Sequence, residues 1–304
     1  MRRATVSLFA LAAAIALCLA PAAGATGSRG SHARVLVVDG DGHKRSCYGT
    51  RRPFPTIQAA VDHARRGDTI WVCPGLYRET VKVQTERLTI NGANAGRDAT
   101  RDDRRRESIV TSDDPAGAVQ LLADHITWDG FTIRGVAGEE NGPGMLTGRD
   151  HSGHLIRDTI FEDNGVGLRL GSNGAHPTLV CRNRFVANNE FADGGFGVFS
   201  DEGARQVLIT YNRFERHNGA GIFFADRGAT QRDVLIDHNK SVDDLSFATI
   251  YGSSRVRLSA NNVRARVGDP AFPGPARRTS SAPATTTSWC TRTRSGRPAA
   301  TAST

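Results

Sequence analysis

Six segments between residues 126 and 263 can be written beneath one another: Ile126-Thr-Trp-Asp-Gly-Phe, Leu155-Ile-Arg-Asp-Thr-Ile-Phe161, Leu179-Val-Cys-Arg-Asn183-Arg-Phe185, Leu208-Ile-Thr-Tyr-Asn212-Arg-Phe214, Leu235-Ile-Asp-His-Asn239-Lys-Ser241 and Leu258-Ser-Ala-Asn-Asn262-Val. Their leading apolar positions lie 29, 24, 29, 27 and 23 residues apart. Asn183, Asn212, Asn239 and Asn262 fall four places after their leaders, and Phe161, Phe185 and Phe214 six places after. Each unit has a second half, Gly144-Met145, Gly167-Leu168, Gly197-Val198, Gly221-Ile222 or Thr249-Ile250, several after an Asn- or Gly-rich turn such as Asn164-Gly165 or Asn218-Gly219. Every unit therefore reads as strand, tight turn, strand, turn, with short alternating strands.

The variable period excludes fixed-length arrays, and units of about 26 residues are too short for propeller blades of ~40. A coil of that length fits a parallel β-helix, in which each strand pairs with its counterpart one coil away at ~4.8 Å. Like residues then stack on like: Leu, Ile and Phe columns fill the bore, and Asn columns bond amide to amide in the turns. From Ile57 to Val263 there is room for roughly eight coils. The open end of such a rod needs closing, and residues 56–67 read as the cap. Thr56 is a helix N-cap, Ile57, Ala60, Val61 and Ala64 form an amphipathic stripe, and Gly67 suits a left-handed terminator.

Thr56-Ile-Gln-Ala-Ala-Val-Asp62, Gly67-Asp-Thr-Ile, Cys73-Pro-Gly-Leu-Tyr-Arg-Glu79 and Leu88-Thr-Ile-Asn-Gly92 together resemble the opening of the pectin-lyase-like right-handed parallel β-helix proteins. The resemblance spans about 54–263. It implies an all-β, right-handed parallel β-helix of roughly eight coils with an N-terminal amphipathic helix cap. It does not imply one activity, because that superfamily holds lyases, hydrolases, esterases, epimerases and non-catalytic members. The motif sets of its pectin methylesterases, polygalacturonases and alginate epimerases are absent, so no family active site is carried over.

Both ends differ from the repeat. Residues 1–25, with Arg2 and Arg3, an apolar run to Ala20 and Ala23-Gly24-Ala25, read as a cleaved secretory signal, so a secreted, extracellular protein is expected. No other apolar run reaches ~18 residues, so no membrane span is expected. Residues 26–54 read as an N-terminal extension and 55–263 as the β-helix domain. Residues 264–304 read as a disordered low-complexity tail rich in Arg, Thr, Ser, Ala and Pro; a reading frame lost near 264 would also end the repeat in mid-stride. The ends carry the excess charge. Of 39 basic and 31 acidic side chains, residues 26–263 hold 30 of each. A neutral body lacks the sequence-independent phosphate attraction of nucleic-acid binders, so no nucleic acid is expected as a partner. A monomer is expected.

Four cysteines remain after signal removal. Cys47 and Cys73 bracket the cap, and a disulfide between them is expected. Cys181 reads as a buried small apolar residue, and Cys290 has no evident partner.

Acids and bases gather where the second half of two units ends: Asp201, Glu202 and Arg205, then Asp226 and Arg227. One coil apart, Asp201 and Asp226 would raise one carboxyl pKa or bind a divalent cation such as Ca2+, the one cofactor the sequence suggests. Lyase or epimerase chemistry on a uronate needs a neutralised carboxylate, a base and an acid, and these five residues are the catalytic candidates. The plainer reading is solvated turns in which each Asp sits beside its own Arg. His151-Ser-Gly-His154 lacks a third metal ligand, and Asp39-Gly-Asp-Gly42 is a calcium-loop fragment without the later Glu. Residues 97–107 read as a solvated charged excursion. Tyr211, Trp128 and His238 occupy positions from which outward rings would suit sugars. The expected function is binding or modifying an extracellular acidic polysaccharide, the alternative a non-catalytic adhesion or structural rod. The first requires an acidic-and-basic groove with a buried, perturbed carboxylate.

Overall fold

The computed structural model describes residues 33–40, 47–104, 106–136, 142–189, 195–225, 228 and 231–264. Residues 1–25 and most of the tail, and with them the signal and frame readings, lie outside the described residues. Three parallel sheets run the length of the rod, with nine, eight and seven strands. Each coil contributes one short strand to each sheet in turn, for example Leu155–Arg157, Ile160–Glu162 and Val166–Arg169. Seven such three-strand coils run from Thr69 to Ile250, and Ser253–Ser259 and Asn262–Arg264 begin an eighth.

Register fixes which faces meet the core. In the first sheet Trp128, Ile156, Val180, Ile209, Ile236 and Leu258 pair in one inward column. In the second, Ile133, Phe161, Phe185 and Phe214 do the same. The three phenylalanine rings stack at 4.8 and 4.9 Å, each pair 5° from parallel. That spacing is the strand repeat itself, so each ring faces its counterpart one coil away. Trp128 is fully buried in this bore, which corrects its reading as an outward, sugar-facing ring.

Two corners of each coil recur in conformation. Gly130, Asp158, Arg182, Tyr211, His238 and Ala260 take positive φ at the first corner. Gly135, Asp163, Ala187, Arg216 and Asp243 take it at the second. Left-handed backbone costs an L-residue roughly 1–2 kcal/mol, and the next residue in each corner offsets it by bonding along the rod. Asn183 Nδ2 donates to Asn212 Oδ1 (3.1 Å), Asn212 to Asn239 (3.0 Å) and Asn239 to Asn261 (3.1 Å). The ladder thus ends on Asn261 rather than Asn262. Arg257 holds the outward position that leucine holds in earlier coils, and Leu258 turns inward.

The seven-residue helix Ile57–His63 starts at Thr56, whose hydroxyl accepts from Ala59 N (3.1 Å). Glu79 also accepts from Ile57 N and Gln58 N, both at 2.8 Å. Ile57, Ala60 and Val61 are buried, and the helix lies against Val35–Val38, Thr69–Val72 and Val81–Val83. Val35–Val38 pairs in parallel with Thr69–Val72, so the first sheet begins within what the sequence assigns to an extension. Cys47 and Cys73 form a disulfide. Cys181 is fully buried and also disulfide-bonded, which goes beyond its reading as apolar filler; its partner lies outside the described residues.

Candidate functional site

The sequence-predicted acids and bases lie at the end of a third-sheet strand. In Phe196–Ser200, Val198 faces the bore and Phe199 faces outward, in register with Arg169 before it and Phe223 after it. Phe196, Phe199 and Phe223 gather on this outer face with centroids 4.7 to 5.9 Å apart. Tyr251, well exposed, stands 5.9 Å from Phe223 in an edge arrangement. The chain then turns through Asp201 and Glu202 to Arg205 on the first sheet.

Asp201 is nearly buried and grips Arg169 from the coil before, Nε to Oδ1 and Nη2 to Oδ2, both at 3.1 Å. Glu202 Oε1 lies 3.4 Å from the same guanidinium. Asp201 therefore has an arginine, but it is Arg169 and not the neighbouring Arg205. Arg205 is exposed, and its backbone carbonyl accepts from Ser172 Oγ at 2.8 Å. Asp226 and Arg227 lie outside the described residues. The structure thus brings together Arg169, Asp201 and Glu202 beside an aromatic cluster. Sequence reading missed Arg169 because its partners are a coil away; the in-register position of Arg169 and Phe199 was the available signal.

A second charged group occupies the first corner. Asp129, Arg157 and Cys181 follow one another in an outward column of the first sheet. Arg157 Nε donates to Asp129 Oδ2 at 2.9 Å, and Arg182 Nη2 donates to Asp158 Oδ2. Asp129 and Asp158 are fully buried. Burial first, and then the Asp129 carboxylate, push the Asp158 carboxyl up to about 7, against the pull of Arg182 and Arg157. Asp158 is thus a buried, perturbed carboxylate beneath residues 92–104, at a position the sequence did not single out.

The charged excursion crosses that corner: Arg101, Asp102 and Asp103 stay exposed, while Arg104 turns in toward the corner. The Arg104 side chain is nearly buried, and it donates to the backbone oxygens of Asp158 (2.6 Å) and Phe131 (3.1 Å) while pairing with Glu107. Its anchors are carbonyls that the corner conformation turns outward, which no periodicity reveals.

The histidines make no common site. His151 Nδ1 lies 3.8 Å from Asp124, while His154 points into the bore between Ile126 and Thr178, both ring nitrogens without a partner. Among the described residues no three His, Cys, Asp or Glu side chains come together as metal donors. Asp39 is buried and accepts from Cys47 N at 3.1 Å, a turn contact. Tyr211 and His238 stack on adjacent coils at 5.1 Å, and His238 is exposed.

A family model described as the right handed beta helix region matches residues 118–269. No curated protein matches the chain. Among solved structures, a pectin methylesterase from Aspergillus niger is 13% identical over 80% of this chain and 88% of its own, with a TM-score of 0.47. A pectin methylesterase in complex with a hexasaccharide is 11% identical over 76% and 80%, with a TM-score of 0.46. The pectin methylesterase PemA from Erwinia chrysanthemi is 10% identical over 78% and 81%, with a TM-score of 0.44. At such identities and scores nothing of their chemistry carries over.

Proposed function

The chain belongs to the right handed beta helix region family, and from that premise we propose that it is a secreted protein that binds an acidic polysaccharide on the outer face of its third sheet. One observation carries this reading: Phe196, Phe199, Phe223 and Tyr251 gather beside Arg169, Asp201 and Glu202 on one face. Aromatic faces suit the apolar faces of sugar rings, and a cation not already held by an acid pairs with a uronate carboxylate. Arg205, exposed and outside the Arg169–Asp201–Glu202 cluster, is such a cation. A Cys47–Cys73 disulfide suits an oxidising, extracellular setting. Both Asp201 oxygens engage Arg169, which favours holding a uronate chain over abstracting its protons.

The test is incubation with pectate, alginate and hyaluronan, with and without calcium, following retention of protein on polymer and ultraviolet absorbance of unsaturated product. Retention on at least one polymer is expected, weakened about ten-fold by Phe223→Ala if one stacking contact of ~1.4 kcal/mol is lost. Absence of retention on all three, or equal retention by the variant, overturns the site. Unsaturated product would move Asp201, Glu202, Arg205, Asp226 and Arg227 from binding to catalysis.

A further inference from the structure

Residues 92–104 leave the first sheet after Thr89–Asn91 and cross the first corner. Six of the eight residues 97–104 are charged, and Ala99 is the one buried apolar side chain of the segment. Its seat is correspondingly polar. Gly96 N donates to Asp129 Oδ1 (2.9 Å), Ala99 N to Arg182 O (3.2 Å), and Arg104 to the carbonyls of Asp158 and Phe131. Arg184 reaches Asp102 from the second sheet at 3.1 Å. The segment lies on Gly130, where a Cβ would come within 2.0 Å of Ala95 N. A cover held by hydrogen bonds with little apolar burial opens at modest cost, since water replaces those bonds.

What it covers is incomplete. Within the Asp129, Arg157, Asp158 and Arg182 cluster, Asp158 Oδ1 and Arg182 Nε are buried with no hydrogen-bond partner. Leaving such groups unpaired is costly, because each forfeits the hydrogen bond it makes in water. One is an acceptor and the other a donor, on the same ion pair. A sugar hydroxyl both donates and accepts, so it completes both atoms without adding charge.

We propose that residues 92–104 form a lid over a second sugar-binding site at the first corner, where Asp158 Oδ1 and Arg182 Nε take hydroxyls of the same polysaccharide. This rests on the polysaccharide reading above and deepens it: the third-sheet face holds the chain from outside, and the corner engages it once the lid lifts. The closed state lowers apparent affinity by the fraction of molecules that are open.

The probe is hexagalacturonate, with the full chain throughout. Amide exchange of residues 93–104 is expected to quicken when the probe binds, and Arg104→Gln, which removes the lid's bonds to Asp158 and Phe131, is expected to bind about ten-fold tighter. Melting of Arg104→Gln checks that it folds; if it does not, the exchange measurement on the wild type decides alone. Binding without any change in exchange overturns the lid and leaves a buried water as the occupant of the corner. Equal affinity in folded Arg104→Gln does the same. Loss of binding in Phe223→Ala with exchange unaltered in the wild type keeps the third-sheet site and removes only the lid; no binding by any form removes the polysaccharide reading itself.

Discussion

His154 occupies a bore position between Ile126 and Thr178 with neither ring nitrogen bonded. Burial is the main reason its pKa falls to about 4, opposed by Asp124 and reinforced by His151 and His125. Unfolded, the ring takes a proton near pH 6.5. The unfolded chain therefore binds more protons between those values, and stability falls as pH drops from about 6.5 to about 4, by an order of ~3 kcal/mol. His154→Val fits the column, which holds Val207 and Val234 further on, and it should melt higher than wild type at pH 4.5 while differing less at pH 7.5. A wild type whose melting is as acid-sensitive as that of the variant would contradict this. His217 is buried for a different reason: Nδ1 lies 2.7 Å from Asp244 Oδ1, and Asn188 Nδ2 lies 3.2 Å from Nε2. With Asn164 it continues a polar ladder of the second corner. His217→Asn preserves a donor and an acceptor there, so it should cost less than His217→Leu, which removes the ring's bonds to Asp244 and Asn188 at about 1 kcal/mol each, while Asp244 keeps Ser241 Oγ and Asn188 keeps the Phe161 carbonyl; urea midpoints of the two variants decide it.

At the scale of strands and corners, the phenylalanine stack and the asparagine ladder are what the repeat predicts, because in-register stacking makes a sequence period into a spatial column. Phe185 lies between Phe161 and Phe214, so Phe185→Ala removes two ring contacts and opens a cavity, with an expected loss of about 3–5 kcal/mol. Denaturant unfolding measures it, and a loss below ~1 kcal/mol would mean that the neighbouring rings collapse into the gap. Legibility failed where the strand period of two was misjudged by one residue. Ile126 and Leu258 look like leaders, but Thr127 and Arg257 hold those positions, so Trp128 turns inward and Asn261 replaces Asn262 in the ladder. A hydrophobic letter marks a leader only where the outer column is apolar. The site was half legible for the same reason: Asp201 and Glu202 could be read from the turn, while Arg169 belongs to another coil and declares itself only through register. Residues 97–104 gave no sign of their seat, since their partners are main-chain atoms. Val35–Val38 carries no repeat motif, and only pairing assigns it to the rod.

For the whole molecule, each coil touches mainly its neighbours, so protection should grade along the axis. In the last first-sheet strand Val256 is half-buried and Leu258 exposed, whereas Val234 and Ile236 one coil earlier are buried. Amide exchange in 246–264 is expected to be faster than in 155–224; uniform protection would mean that the rod opens as a single unit. At the other end, Cys47–Cys73 closes a loop of 26 residues, worth about 3 kcal/mol. Replacing Cys47 and Cys73 together by serine should lower the melting temperature, and an unchanged melt would show that the N-terminal coil does not limit unfolding. The stacking has one more consequence. Coils of 22 to 29 residues keep common register, and a detour the length of residues 92–104 disturbs no strand beneath it, so such a molecule tolerates foreign segments spliced into its bends: the shaft supplies rigidity, and new recognition is added without redesigning the support.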